Sequence, residues 1–210
     1  MKKITTYLFS MMLLFSFAVI PVYALDGQNV NFDLHSIVYD DGEAIDSVVL
    51  KTSNLEIDHS KITKDMFKVH ATGTTVYSSQ LENEFFGPNS QSGLQHCGLY
   101  DEEREVESVE EKNGNIILHL VTNKETKGKN TLDFTANFST LKGCNSLLNI
   151  KYEITLNKGL PLKDGSELSN IQFLQNEKII NEEIDKFSAG ESNINFIHLI
   201  MQMMGINTRL

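Results

Sequence analysis

Tryptophan is absent from this chain, cysteine occurs twice, and lysine plus arginine number 18 against 28 aspartates and glutamates. The shortage of basic residues removes the clusters that nucleic acid or an anionic membrane surface requires. Cys97 and Cys144 form no C-x-x-C and belong to no clustered Cys/His spacing, so no zinc-ligand pattern exists. An even count leaves two readings open, one disulfide or two isolated thiols. The signature G-x-S-x-G is missing, and with it the sharp strand-to-helix turn that presents a nucleophilic serine. Beyond the first two dozen residues no apolar run has spanning length, and no low-complexity linker divides the chain.

What is present begins with Lys2 and Lys3, followed by an uncharged stretch from Ile4 through Ile20 centred on Leu8, Phe9, Leu13, Leu14 and Phe17. A cationic start followed by an apolar segment is the pattern of a secretory signal peptide. Pro21 breaks the helix that segment would form, and Val22-Tyr23-Ala24 offers small side chains at the peptidase positions, so cleavage is expected after Ala24. The expected division is a signal-peptide helix at 1–24, one domain at 25–187 and a tail at 188–210, with a secreted, extracellular destination. Losing two lysines takes the net charge from −10 to about −12. The remaining length of about 186 residues suffices for one domain with a real core.

Between Val30 and Val121 short β-prone runs alternate with turn residues. Phe32, Leu34 and Ile37-Val38-Tyr39 predict a strand ended by Asp40-Asp41-Gly42, and Val48-Val49-Leu50 a second. Phe67, Val69 and Ala71 alternate with Lys68 and His70, after a turn at 60–65. Glu105–Val109 and Ile116–Val121 flank Asn113-Gly114, the dipeptide of a two-residue type I′ hairpin. Leu148, Ile150, Tyr152, Ile154 and Leu156 alternate with polar residues over a full strand. No segment before residue 175 carries a capped 3.6-residue periodicity, so no helix is expected there. The expectation is an all-β chain folded as a β-sandwich.

Candidate chemistry is sparse. His35, His59, His70, His96 and His119 lie on separate runs without H-E-x-x-H or H-x-H spacing. His119 reads as a strand residue on the wetter face. His96 adjoins Cys97, but a base must approach its thiol in space and be oriented by a third group, which adjacency does not supply. The acidic runs at 40–43, 101–103 and 182–183 lack the D-x-D-x-D-G spacing of a calcium loop and read as solvated turns. No catalytic residue, metal ligand or cofactor is therefore expected.

The order of several short motifs resembles the immunoglobulin-like N-terminal domain of secreted bacterial esterases. Asp41-Gly42-Glu43-Ala44-Ile45 precedes Val48-Val49-Leu50, and Thr63-Lys64-Asp65-Met66-Phe67-Lys68-Val69 matches that family's T-x-D-x-F-x-V strand opening. Arg104-Glu105-Val106, Gly114–Leu118 and Tyr152–Leu156 follow in the same order, and Ile184-Asp185-Lys186-Phe187 resembles the closing V-D-x-F. The Cys-Trp-Cys core signature of immunoglobulin domains is missing. The resemblance implies a non-catalytic immunoglobulin-like β-sandwich that supports oligomer formation and shapes access to a neighbouring α/β-hydrolase domain, which is not in this sequence. Its partners would be another copy or that catalytic domain. A stand-alone secreted module binding a protein or glycan is the alternative, lowered by the lack of an L-P-x-T-G end.

The final residues, Asn193 to Leu210, are apolar and read as a short helical or disordered tail. Read one base out of frame, Met201 to Gly205 forces Ala, Asn or Asp, Asp and Gly, and flanking codon choices spell a polar, turn-rich peptide beginning Leu-Tyr-Thr-Pro. That peptide resembles the linker into the esterase catalytic domain, so a frameshift near Asn195 and a truncated product are expected. The bases after the stop would encode a hydrolase in another frame.

Overall fold

The computed structural model describes residues 27–39, 42–87, 93–123 and 125–181. The expected signal peptide, Asp40-Asp41, Glu182-Glu183, the closing motif at 184–187 and the tail lie outside the described residues.

The described chain is mostly β. One five-stranded sheet runs in the order β12 (Ile171–Ile180), β1 (Gln28–Tyr39), β2 (Gly42–Leu50), β7 (Asn115–Leu120), β6 (Val106–Lys112). A second has the order β4 (Leu94–His96), β8 (Leu132–Asn137), β9 (Lys142–Leu156), β3 (Phe67–Thr75), β5 (Tyr100–Arg104). β10 (Leu160–Pro161) and β11 (Glu167–Leu168) form a small ladder of their own. All pairings are antiparallel except β1 with β12. Phe32, Leu34, Val48, Leu50 and Leu118 of the first sheet share one buried cluster with Phe67, Val69, Tyr152 and Ile154 of the second. Two sheets thus bury their apolar faces against one core, which the period-2 patterns of these strands require.

Local chemistry explains several strands as expected. Asn113 and Gly114 adopt φ of 56° and 77°, so the β6–β7 turn takes the left-handed conformations that Asn-Gly tolerates. β9 buries Leu148, Tyr152 and Ile154 and exposes Asn149, Lys151 and Glu153. His119 stands on the outer side of β7 with Glu110 Oε2 3.0 Å from its Nε2.

Other expectations fail. An α-helix, α1 (Ser79–Phe86), lies where none was expected. Ser78 caps it by accepting from the Leu81 N–H at 3.3 Å, and Gly87 at φ 103° ends it. Two turns are too short for a periodic window, and α1 buries Glu82 with Phe86 while exposing Leu81 and Phe85. The acidic run 101–103 is strand β5, not a turn. Asp101 and Glu103 face His70 of β3 at 2.6 and 3.1 Å, and Lys68 reaches Glu103 at 3.0 Å; cross-strand pairs of this kind hold residues of low β-propensity in an edge strand. Glu43, likewise expected in a solvated turn, accepts from Ser36 at 2.7 Å, Thr131 at 2.9 Å and Asn181 at 2.9 Å.

Arg104 closes one end of the core. It is buried, donates to the carbonyls of Gly128 (2.8 Å), Val121 (3.0 Å) and Ile45 (3.2 Å), and also donates to the Tyr152 hydroxyl. The guanidinium fork therefore ties β5 to β2, β9 and the segment before β8.

Candidate functional site

β8 and β9 pair from Leu132↔Leu147 to Asn137↔Lys142. Along β9 the even positions that carry Leu148, Tyr152 and Ile154 into the core carry Cys144 and Ser146 farther up the hairpin. The register sets Asp133 and Thr135 of β8 opposite Ser146 and Cys144. The interior side of this end is therefore polar, and Asp133, Thr135, Asn137 and Ser146 are all buried. Its solvent side carries Phe134 and Leu147, with Phe138 and Leu141 at the tip; they are 48%, 65%, 59% and 90% exposed. Polarity is thus inverted relative to the rest of the sheet, where apolar residues point inward.

The interior side is held by one acid. Asp133 accepts from His96 Nδ1 at 2.6 Å, Thr135 Oγ1 at 2.7 Å and the Gly98 N–H at 2.7 Å. Burial raises its carboxyl, but the hydrogen bonds from Thr135, His96 and Gly98 outweigh that and hold it below the ordinary aspartate range. Glycine is required at 98, because a Cβ there would stand 2.5 Å from the Leu132 carbonyl oxygen. The other ring nitrogen of His96 lies 3.1 Å from Glu82 Oε1 of α1, so the imidazole joins helix to sheet. It can donate to both carboxylates at once only as the imidazolium.

This geometry answers the His96–Cys97 question. The partners of His96 are Asp133, Glu82 and Thr135, so the structure gives the ring no role as a base toward the thiol. Cys97 is exposed and Cys144 half-buried, and both are free thiols. Cys97 donates its backbone N–H to Phe134 on β8, whereas Cys144 is on β9, so a strand separates them. Two strand spacings amount to about 10 Å, beyond the ~7 Å that a disulfide bridges. Burial, with Asp133 adding to it, pushes the Cys144 thiol up, away from the thiolate a nucleophile needs.

The outer side is shaped for contact. The Phe134 ring reaches Gly143 on the neighbouring strand, where an added Cβ would meet it at 2.9 Å. Asn137 Oδ1 accepts from the Ser139 and Thr140 N–H groups at 3.0 and 3.1 Å and shapes the tip. Leu141 follows with φ 55°, a left-handed conformation that costs a bulky residue energy and leaves its side chain in solvent. At the base, a cleft of about 220 Å³ is lined by Cys97, Gly98, Leu132, Phe134 and Asn145 of this sheet and by Gly42 and Glu43 of β2.

No motif in the sequence marks Asp133, Thr135 or Glu82. The signal available was the alternation Leu132, Phe134 against Asp133, Thr135, but an alternation alone does not say which set faces inward. Among the described residues no group of three or more His, Cys, Asp or Glu side chains is placed to hold a metal ion, and no helix is long and apolar enough to cross a membrane.

No family model and no curated protein matches this chain. Among solved structures, a chain described as "Crystal Structure of a Thermostable Esterase" aligns with a TM-score of 0.48 and 19% sequence identity, over 73% of this chain and 36% of that one. The match therefore spans little more than a third of that chain's length.

Proposed function

We propose that this chain is a secreted, non-catalytic, immunoglobulin-like domain of an esterase, and that the outer face of the β8–β9 hairpin is its contact surface for self-association or for a neighbouring hydrolase domain. The observation that carries the proposal is the exposed strip Phe134, Leu147, Phe138 and Leu141 above a polar interior. Large apolar side chains so exposed on one hairpin are the kind of surface that marks interaction sites on soluble proteins. The quoted motifs lend support by their positions: Thr63–Val69 leads into β3, Arg104-Glu105-Val106 joins β5 to β6, and Tyr152–Leu156 ends β9. The commitment of both His96 nitrogens to carboxylates favours a structural role for that residue.

Sedimentation velocity on the wild type and on Leu147→Lys tests this. The wild type should associate with itself or with an added esterase catalytic domain, and the lysine, placed in a solvent-facing position, should reduce that association at least about tenfold without loss of fold. A wild type that remains monomeric and binds no catalytic domain would refute the contact surface. Ester turnover by the purified chain, abolished by one Ser or Cys substitution, would refute the non-catalytic role.

A further inference from the structure

β4 pairs with β8 so that His96 stands opposite Thr135, and β8 pairs with β9 so that Thr135 stands opposite Cys144. Residues paired across strands share a face, so ring, hydroxyl and thiol form one row on the interior side of the hairpin. Among the described residues the titratable groups that face the ring are Glu82 from α1, Asp133 from β8 and, beyond Thr135, the Cys144 thiol of β9. α1 meets this row through Glu82. Two turns are far fewer than a helix needs to hold in water by itself, so α1 depends on what it touches. It buries Phe86 but turns Leu81 and Phe85 to solvent, which leaves Phe86 and Glu82 to seat it.

The Glu82 side chain is only 7% exposed, and a carboxylate so far out of water needs a donor in front of it. His96 Nε2 stands there at 3.1 Å, while Asp133 Oδ2 lies 2.6 Å from Nδ1. Ionised carboxylates only accept, so the two of them need two N–H groups. The imidazolium has two and the neutral ring has one. When the ring is neutral, the remaining N–H goes to Asp133, which has the shorter contact and stays ionised: against the upward push of burial, Thr135, His96 and Gly98 hold it below the ordinary aspartate range. Nε2 then presents a lone pair to the Glu82 oxygen, acceptor against acceptor. Thr135 offers no substitute, because its hydroxyl already donates to Asp133 at 2.7 Å.

We propose that His96 is a proton-operated clasp for α1: the protonated ring seats the helix against the hairpin, and loss of its proton releases Glu82 and with it the two turns from Ser79 to Phe86. Seating is present in mild acid and is given up as pH rises, across the interval of about pH 5 to 8 in which histidine changes charge. The clasp makes the bracing of the hairpin's inner side dependent on pH. It does not depend on the esterase-domain assignment or on the β8–β9 contact surface.

The test is amide hydrogen exchange of the full chain across that interval, corrected for the intrinsic rise of exchange with pH, with the His96 ring followed by NMR in the same samples. Protection of the α1 amides is expected to fall at least about tenfold, with the same midpoint as the His96 ring signal, while the amides of β9 keep theirs. Glu82→Gln supplies an amide that can accept from the imidazolium or donate to the neutral ring, so the helix stays seated in both states and its protection should become independent of pH. His96→Gln has no proton to lose in this interval and should also give a flat profile, at whatever level of protection it sets. Protection of α1 that stays constant in the wild type while the His96 ring titrates would overturn the proposal. So would a fall that persists in His96→Gln, which would assign it to another group, or one that persists unchanged in Glu82→Gln.

Discussion

His96 Nδ1 stands 2.6 Å from Asp133 Oδ2, and because Glu82 Oε1 lies 3.1 Å from the opposite ring nitrogen, a single imidazole spans from strand β8 to helix α1. The carboxylates come from positions 14 residues before and 37 residues after the histidine. The bridge holds a polar interior together beneath an apolar outer face, so it supports the surface proposed to make contacts.

Replacing Asp133 by asparagine removes the charge and turns an amide N–H₂ toward groups that already donate. Asp133→Asn is expected to destabilise the domain by about 2 kcal/mol in urea unfolding at pH 7. The folded value of this carboxyl lies below its unfolded one. Its contribution is therefore present above the unfolded value near pH 4 and is lost as pH falls through the lower folded value. The gap between wild type and variant should close in acid, and a gap unchanged at pH 2.5 would contradict the assignment.

Arg104 donates to the carbonyls of Gly128, Ile45 and Val121 and to the Tyr152 phenol, with geometry that a lysine ammonium cannot copy. Arg104→Lys should cost about 3 kcal/mol, because several buried acceptors lose their donors at once. Tyr152→Phe should cost about 1 kcal/mol. The Tyr152 hydroxyl, whose pKa burial pushes up to about 12 against the pull of Arg104, should stay protonated in a spectroscopic titration through pH 10.

Thiol labelling of the native chain should find two reactive equivalents. Cys97 should react quickly, and Cys144 slowly, since it is half-buried and its thiol is pushed up. Intact mass under oxidising, non-reducing conditions should show no intramolecular disulfide. A mass two hydrogens lower would mean that the two cysteines meet.

Asp46 works in the opposite sense to Asp133. Its folded value is raised, so its charge costs stability that is not lost below the unfolded value near pH 4 and is given up as pH rises through the higher folded value. Asp46→Asn should therefore raise stability at pH 7, by about 0.5 kcal/mol at this partly solvated position, and make no difference at pH 3. Equal melting temperatures across that range would remove the desolvation argument.

Sequence by itself determined the elements whose signal is local. Asn113-Gly114 dictated a hairpin because few other dipeptides accept two left-handed residues, and the alternation from Leu148 to Leu156 dictated a strand with one buried face. The tertiary structure alone decided which way β8 faces, since Leu132 and Phe134 alternate with Asp133 and Thr135 equally well in either orientation. It also decided that two turns of helix would form at Ser79–Phe86, through burial of Phe86 and the contact of Glu82 with His96. The parallel seating of β12 beside β1 joins positions more than a hundred residues apart, and so do the hydrogen bonds of Glu43 and Asp33 to Asn181 and Asn176. Such contacts depend on chain-wide packing, whereas periodicity and turn chemistry act within a few residues. A strand or a turn is therefore legible before folding, but the partners of His96 and of Glu43 exist only after it.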